Sequence, residues 1–194
     1  MSNMDKDRSD MLDLLPFLTS LISLRDPHGK VHSSHVRDLS AAFGQSIDLT
    51  SAQIETLAFA AEIHDIGKIA INEFIINKPG RLTEAEYLMT QHHSQLGANL
   101  IETIGLEQPI HRIILHHHEN FDGSGHPDHL QGEEIPLESR IIRITDTYDA
   151  LTSNRGYRAA YSPKKALSIM KQEHIVFDPQ LLEIFLKMKA GTKH

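Results

Sequence analysis

Apolar residues recur along most of this chain at steps of three and four, the spacing that lines one face of an α-helix. Windows near residues 10–24, 30–43, 51–65, 84–104, 107–118, 137–152, 163–173 and 179–190 carry the pattern. They predict an all-α fold, a compact bundle of roughly seven to eight helices. The punctuation agrees. Thr50 with Gln53 and Thr83 with Glu86 have capping-box spacing. Ser162-Pro163 and Asp178-Pro179 each set a capping side chain before a proline suited to the first helical position. Gly44 and Gly105 follow periodic stretches and read as C-terminal stops. "KIAINEFIIN" (68–77) is the nearest approach to a strand. Two loops stand out, 69–82 and 119–136, the second rich in Gly, Pro, Asp and His.

The same periodicity sorts the histidines. Met89, His93, Leu96, Leu100 and Ile104 share one stripe, which turns His93 inward and leaves His92, about 100° round the helix, outward. His32 lies on a stripe with Val36, Leu39 and Phe43. His64 follows Leu57, Ala60 and Ala61 at the end of its helix. Ile110, Ile113 and Ile114 lead to His117, and Ile114 also stacks under His118. His116 stacks on Arg112 and reads as a bystander, while His35, His111 and His129 read as surface residues. Asp146 stacks on Ile142 and faces inward.

Five inward imidazoles with Asp65 and Asp146 are costly to bury unless something satisfies them together. A metal ion does so. The chain has no cysteine, which excludes disulfides and thiolate zinc sites and leaves nitrogen and oxygen donors. Neutral imidazole with carboxylate suits manganese, iron or another divalent ion. Histidine is the compositional outlier, with 14 in 194 residues.

Bulk properties narrow the partners. A formal charge of −7 disfavours polymeric nucleic acid. The apolar share of 40% suits one globular domain, and "LLPFLTSLISL" is too short and interrupted to span a membrane. The flank "MSNMDKDRSD" lacks a signal-peptide pattern, so the expected location is cytoplasmic. Against the acidic background, Thr152 to Gln172 holds Arg155, Arg158, Lys164, Lys165 and Lys171 and no acid, a local bias towards anions. Guanidinium forks at Arg155 and Arg158 suit phosphate oxygens, whereas Lys164 and Lys165 read as an exposed helix face.

Several ordered motifs carry a family resemblance: "HDIGK" (64–68), "NKPGRLT" (77–83), "HHENFDGSGHP" (117–127), "IPLESRI" (135–141) and "DTYDALTSNRGYR" (146–158). Together they resemble the HD-GYP subfamily of the HD metal-dependent phosphohydrolases, from about His28 to Phe185. The resemblance implies a helical fold, a centre of two divalent metal ions (iron or manganese, with room for a third), and hydrolysis of cyclic di-GMP to pGpG and/or GMP by a metal-bridging hydroxide. By position it implies that His32, His64, Asp65 and Asp146 hold one ion. His93, His117 and His118 would hold the other, with Asp65 bridging. Asp65 and Lys68 are the implied catalytic residues, and Lys68, Arg155 and Arg158 the implied contacts to substrate phosphate. Glu119 and Asp122 read as turn-forming or ligand-supporting groups in a loop freed by Gly123 and Gly125.

The chain departs from the subfamily at three places. The naming triplet is Gly125-His126-Pro127, with histidine where tyrosine is expected. His28 stands where members with three metals carry glutamate, which favours two ions. Residues 1–27 form a short N-terminal segment, with Leu14, Leu18 and Leu21 set to pack on the domain at 28–194 or on a second chain, and Pro16 set to interrupt or begin its helix. A second copy or a signalling protein is therefore an expected partner. Two alternatives stay open: a weak or inactive cyclic di-GMP receptor or partner-binding module, and an HD phosphohydrolase for another nucleotide.

Overall fold

Capping chemistry starts the helices where the sequence puts it. Thr50 accepts from the Gln53 amide and Gln53 returns the contact to Thr50, closing one box; Thr83 and Glu86 close the other. Ser162 accepts from the Lys165 amide, and Asp178 from those of Gln180 and Leu181. The computed structural model describes residues 3–25, 29–106, 108–154 and 159–191, and of residues 3–12 and 25 the backbone alone. In these the chain forms α1 (Asn3–Arg25), α2 (Gly29–Ser46), α3 (Ser51–Ile63), α4 (Glu73–Ile76) and α5 (Glu84–Gln91). It continues with α6 (His93–Thr103), α7 (Gln108–His116), α8 (Leu137–Thr152), α9 (Pro163–Gln172) and α10 (Pro179–Gly191). Short 3-10 turns fill Ile66–Ala70, Gly132–Glu134 and His174–Val176. The architecture is all-α. Among the described residues the one extended pairing is an isolated bridge between Asp122 and Gln131.

Four expectations need correcting. The segment 68–77 is no strand: it is the end of the Ile66–Ala70 turn followed by α4, which Asn72 caps through the Phe74 amide. The single helix expected over 84–104 breaks at His92 into α5 and α6. Its apolar stripe faces the core only in part: His93 is buried and Leu100 packs against a buried cluster, but Met89 is 56% exposed, Leu96 36% and Ile104 37%. The buried face of α6 is instead His93, Ser94, Gly97, Ala98 and Ile101, because small residues let neighbouring backbone come close. Gly44 ends no helix. It lies inside α2, where an added Cβ would press on Leu49 and Leu57 at 3.2 Å; Gly105, with φ +75°, does end α6's turn. Nor does Pro16 interrupt α1, which runs through it while Leu18 and Ile22 are buried below.

Two apolar clusters hold the bundle. Val36 and Phe43 of α2 pack with Leu57 of α3, Ile141 and Ile144 of α8 and Phe185 of α10. Leu18 and Ile22 of α1 pack with Ile63, Ile66, Ile101 and Ile114. Arg140 of α8 reaches Asp178 at the start of α10 at 2.6 Å and ties the far end down.

One close approach positions everything that follows. The turn after α3 lies directly on α6, and a Cβ at Gly67 would overlap the His93 carbonyl and the Gly97 amide. Only glycine lets Asp65 sit beside His93. We expect Gly67→Ala to cost about 3 kcal/mol, the upper range for overpacking, and to lower the thermal midpoint by roughly 10 °C. A calorimetric scan of the variant beside the parent protein checks this, and an unchanged midpoint would contradict the packing described.

Candidate metal centre

The polar cluster begins at helix ends. An α-helix leaves its last carbonyls without intrahelical partners. His64 directly follows α3, His117 directly follows α7, and His93 stands just past the last turn of α5. Each directs Nδ1 at a carbonyl three residues back: His64 to Ala61 at 2.7 Å, His93 to Thr90 at 2.6 Å, His117 to Ile114 at 2.6 Å. A carbonyl only accepts, so each Nδ1 carries the proton and donates it. Each Nε2 is then a lone pair aimed away from the helix.

Those lone pairs converge. His93 Nε2 and His117 Nε2 lie 3.2 Å apart, and His64 Nε2 is buried with no hydrogen-bond partner. Burial pushes His93 down to about 4 and holds His117 and His118 well below the usual imidazole range. At neutral pH no proton lies between the two nitrogens, and two lone pairs at that distance repel. A cation reconciles them, which makes the donor set fit a metal.

Asp65 faces both sides of the cluster. Its Oδ1 is 3.4 Å from His93 Nε2, while Oδ2 is 3.5 Å from His64 Nε2 and 3.9 Å from His32 Nε2. Two donor groups result, Asp65 with His93, His117 and His118, and Asp65 with His32 and His64, each close enough to hold one ion. Asp146 adjoins the second through His32 Nε2 at 3.1 Å and has 14% of its side chain exposed. Burial opposes charge on Asp65, but Lys68, His64, His93 and His32 outweigh it and keep the carboxyl well below its ordinary range. Asp146 is likewise held low: its hydrogen bond to His32 overcomes burial.

Lys68 donates to Asp65 Oδ2 at 2.6 Å and is 26% exposed at the rim. Arg155 and Arg158 lie outside the described residues, as does His28. Lys164, Lys165 and Lys171 are exposed on α9.

The loop after the histidines folds tightly against them. A Cβ at Gly125 would overlap the backbone of Glu119 and Asn120. Asp122 accepts from the amide and hydroxyl of Ser124 at 3.0 and 2.6 Å, closing the turn. Glu119, 1% exposed, accepts from the Asp128 amide at 2.7 Å. His126 sets its ring edge-on to His118, with centroids 5.1 Å apart. His116 is buried rather than outward: its two ring nitrogens meet the Arg112 carbonyl at 2.9 Å and Asp128 at 3.0 Å, away from the donor cluster.

Two residues at the site escaped the sequence reading. Asp149, one turn beyond Asp146, meets His32 Nδ1 at 2.6 Å and His35 Nδ1 at 3.2 Å. The signal was present, since His32 and His35 on α2 have the same three-residue step as Asp146 and Asp149 on α8. Arg143, one turn before Asp146, donates to Asn120 at 2.9 Å and to Thr147 at 2.7 Å, with its guanidinium 5.6 Å from the Phe177 ring centre. Only the fold could show that a basic residue on this face meets the loop.

An HD domain family model matches residues 16–181. The chain belongs to the HD domain family. This HD domain is 35% identical over 173 residues to a cyclic di-GMP phosphodiesterase of Pseudomonas aeruginosa, covering 88% of the chain and 42% of that protein. It is 34% identical over 161 residues to a 3'3'-cGAMP-specific phosphodiesterase of Vibrio cholerae, covering 82% of the chain and 35% of that protein. The chain thus spans less than half the length of either relative. An HDG"Y"P protein from Bdellovibrio bacteriovorus shares the fold, with TM-score 0.70 at 18% identity over 97% of this chain and 62% of that one. No described helix is long and apolar enough to cross a membrane.

His32 makes a pH prediction for the metal-free protein. Burial disfavours its charge, but hydrogen bonds to Asp146 and Asp149 prevail and push it up to about 9 from about 6.5. A raised folded value adds stability that is complete below pH ~6.5 and is lost as pH climbs through ~9, amounting to at most about 3 kcal/mol. The urea midpoint of metal-free protein should therefore fall between pH 6.5 and 9.5, and His32→Gln should remove most of that fall. Parallel slopes for parent and variant would refute it.

Proposed function

We propose that this HD domain is a metal-dependent phosphodiesterase that hydrolyses cyclic di-GMP to pGpG and/or GMP. The observation that carries the reading is the pair of donor groups sharing the one carboxylate of Asp65. His32, His64, Asp65 and Asp146 would hold one divalent ion, and His93, His117, His118 and Asp65 the other. Nitrogen and oxygen donors without thiolate suit manganese or iron. Bound there, two such ions would make water a usable nucleophile and neutralise phosphoryl charge.

The chain's own groups supply the rest. Ionised Asp65 turns one oxygen to each donor group and keeps their spacing constant. Lys68, paired to that carboxylate at 2.6 Å and partly exposed, is a cation at the rim that can meet a phosphate oxygen. Arg143, and in this reading Arg155 and Arg158, add guanidinium donors for phosphate. His126 walls the side next to His118, where its ring offers a face or an edge to a base. The cyclic di-GMP relative supports the substrate class. The similarity to a 3'3'-cGAMP-specific enzyme favours a second reading, in which the same apparatus cleaves a mixed cyclic dinucleotide.

Protein loaded with manganese, or with ferrous iron under reducing conditions, should release pGpG or GMP from cyclic di-GMP, read by chromatography. The same preparation offered 3'3'-cGAMP separates the two substrates. Tight binding without turnover of either would instead make the domain a receptor. Lys68→Met should lower kcat/KM by roughly 10²–10³-fold, the effect of losing one transition-state donor, with metal content retained. A variant as active as the parent would remove Lys68 from the proposal.

A further inference from the structure

We propose that Asp149 is the positioning residue of one ion site, and that it acts by fixing which nitrogen of His32 is free for metal. The inference rests on reading the cluster as a metal centre, and it concerns a residue that touches none of the ligand-facing atoms itself. His32 differs from the other imidazoles of the cluster. His64, His93 and His117 turn Nδ1 to a carbonyl of their own helix end. His32 lies in the first turns of α2. Among the described residues its Nδ1 acceptor comes from across the bundle. Asp149 Oδ2 provides it at 2.6 Å, from α8. On the other ring edge Nε2 faces Asp146 at 3.1 Å and Asp65 at 3.9 Å. The carboxylate that accepts the Nδ1–H hydrogen bond therefore presents the Nε2 lone pair to the donor group.

Asp149 is itself locked. It is 5% exposed; His35 meets Oδ1 at 3.2 Å, and the Ser153 hydroxyl donates at 3.2 Å. Asp146 and Asp149 thus divide the work along one face of α8, the first beside the ion and the second behind the histidine. A carboxylate behind a ligand imidazole sets its tautomer and raises its basicity, and losing it typically costs 10–100-fold in metal affinity.

The test is a manganese titration of metal-free protein by calorimetry, with bound metal counted by elemental analysis. Asp149→Asn keeps the size but can turn an amide N–H towards Nδ1 and force the proton onto Nε2. We expect one of two ions to bind 10–100-fold more weakly while the other keeps its affinity. His35→Ala removes the second partner of Asp149 but not the first, and should leave both affinities within about twofold. If Asp149 merely tied α8 to α2, both variants would weaken both ions or neither. Affinities for both ions unchanged from the parent in Asp149→Asn overturn the inference alone, whereas a parent protein that binds no manganese overturns the metal centre with it.

Discussion

A histidine whose Nδ1–H is committed to a hydrogen bond has only Nε2 left to offer, and this constraint organises the site. Three imidazoles donate Nδ1–H to carbonyls at the ends of α3, α5 and α7. The helix termini therefore determine both where the rings stand and which atom each one presents. Convergence of the ends brings lone pairs to within 3.2 Å of each other, a strain that a bound cation relieves. The bundle is held by apolar packing, yet the place where its helices stop decides its chemistry.

The second determinant is backbone proximity. Asp65 can serve two donor groups because the turn that carries it rests on α6 with no side chain between, at Gly67 against His93 and Gly97. The same device recurs at Gly125, which lets the loop after His118 fold back on Glu119. In both places glycine is needed for the room it leaves rather than for an unusual backbone angle. Charge then follows geometry: neighbouring imidazoles and Lys68 keep Asp65 ionised in a position where burial alone would neutralise it.

Much of this was legible in residue order. Caps at Thr50, Thr83, Ser162 and Asp178 mark real helix starts because capping is a local hydrogen bond between neighbours in sequence. His32, His64, His93 and His117 were read as inward by periodicity, and all four are buried. The stripe of Met89, Leu96 and Ile104 is largely exposed, and the true buried face is built of Ser94, Gly97 and Ala98. Small residues leave almost no hydrophobic signal, although they permit the closest packing. Gly44 misled for the same reason, having been read as a stop when it serves a contact.

Local pattern, then, determined the helical class, most element starts and the inward side of His32, His64, His93 and His117, since all of these depend on residues within one or two turns. The break at His92, the burial of His116, the approach of α6 to the turn at Gly67, and the meeting of α2 with α8 that joins His32 to Asp149 needed the tertiary structure. None of them is set by the residues of a single turn, and 117 positions separate the last pair. Helical periodicity tells which way a side chain points. What it points at is decided by how helices cross, and that depends on the whole packed core.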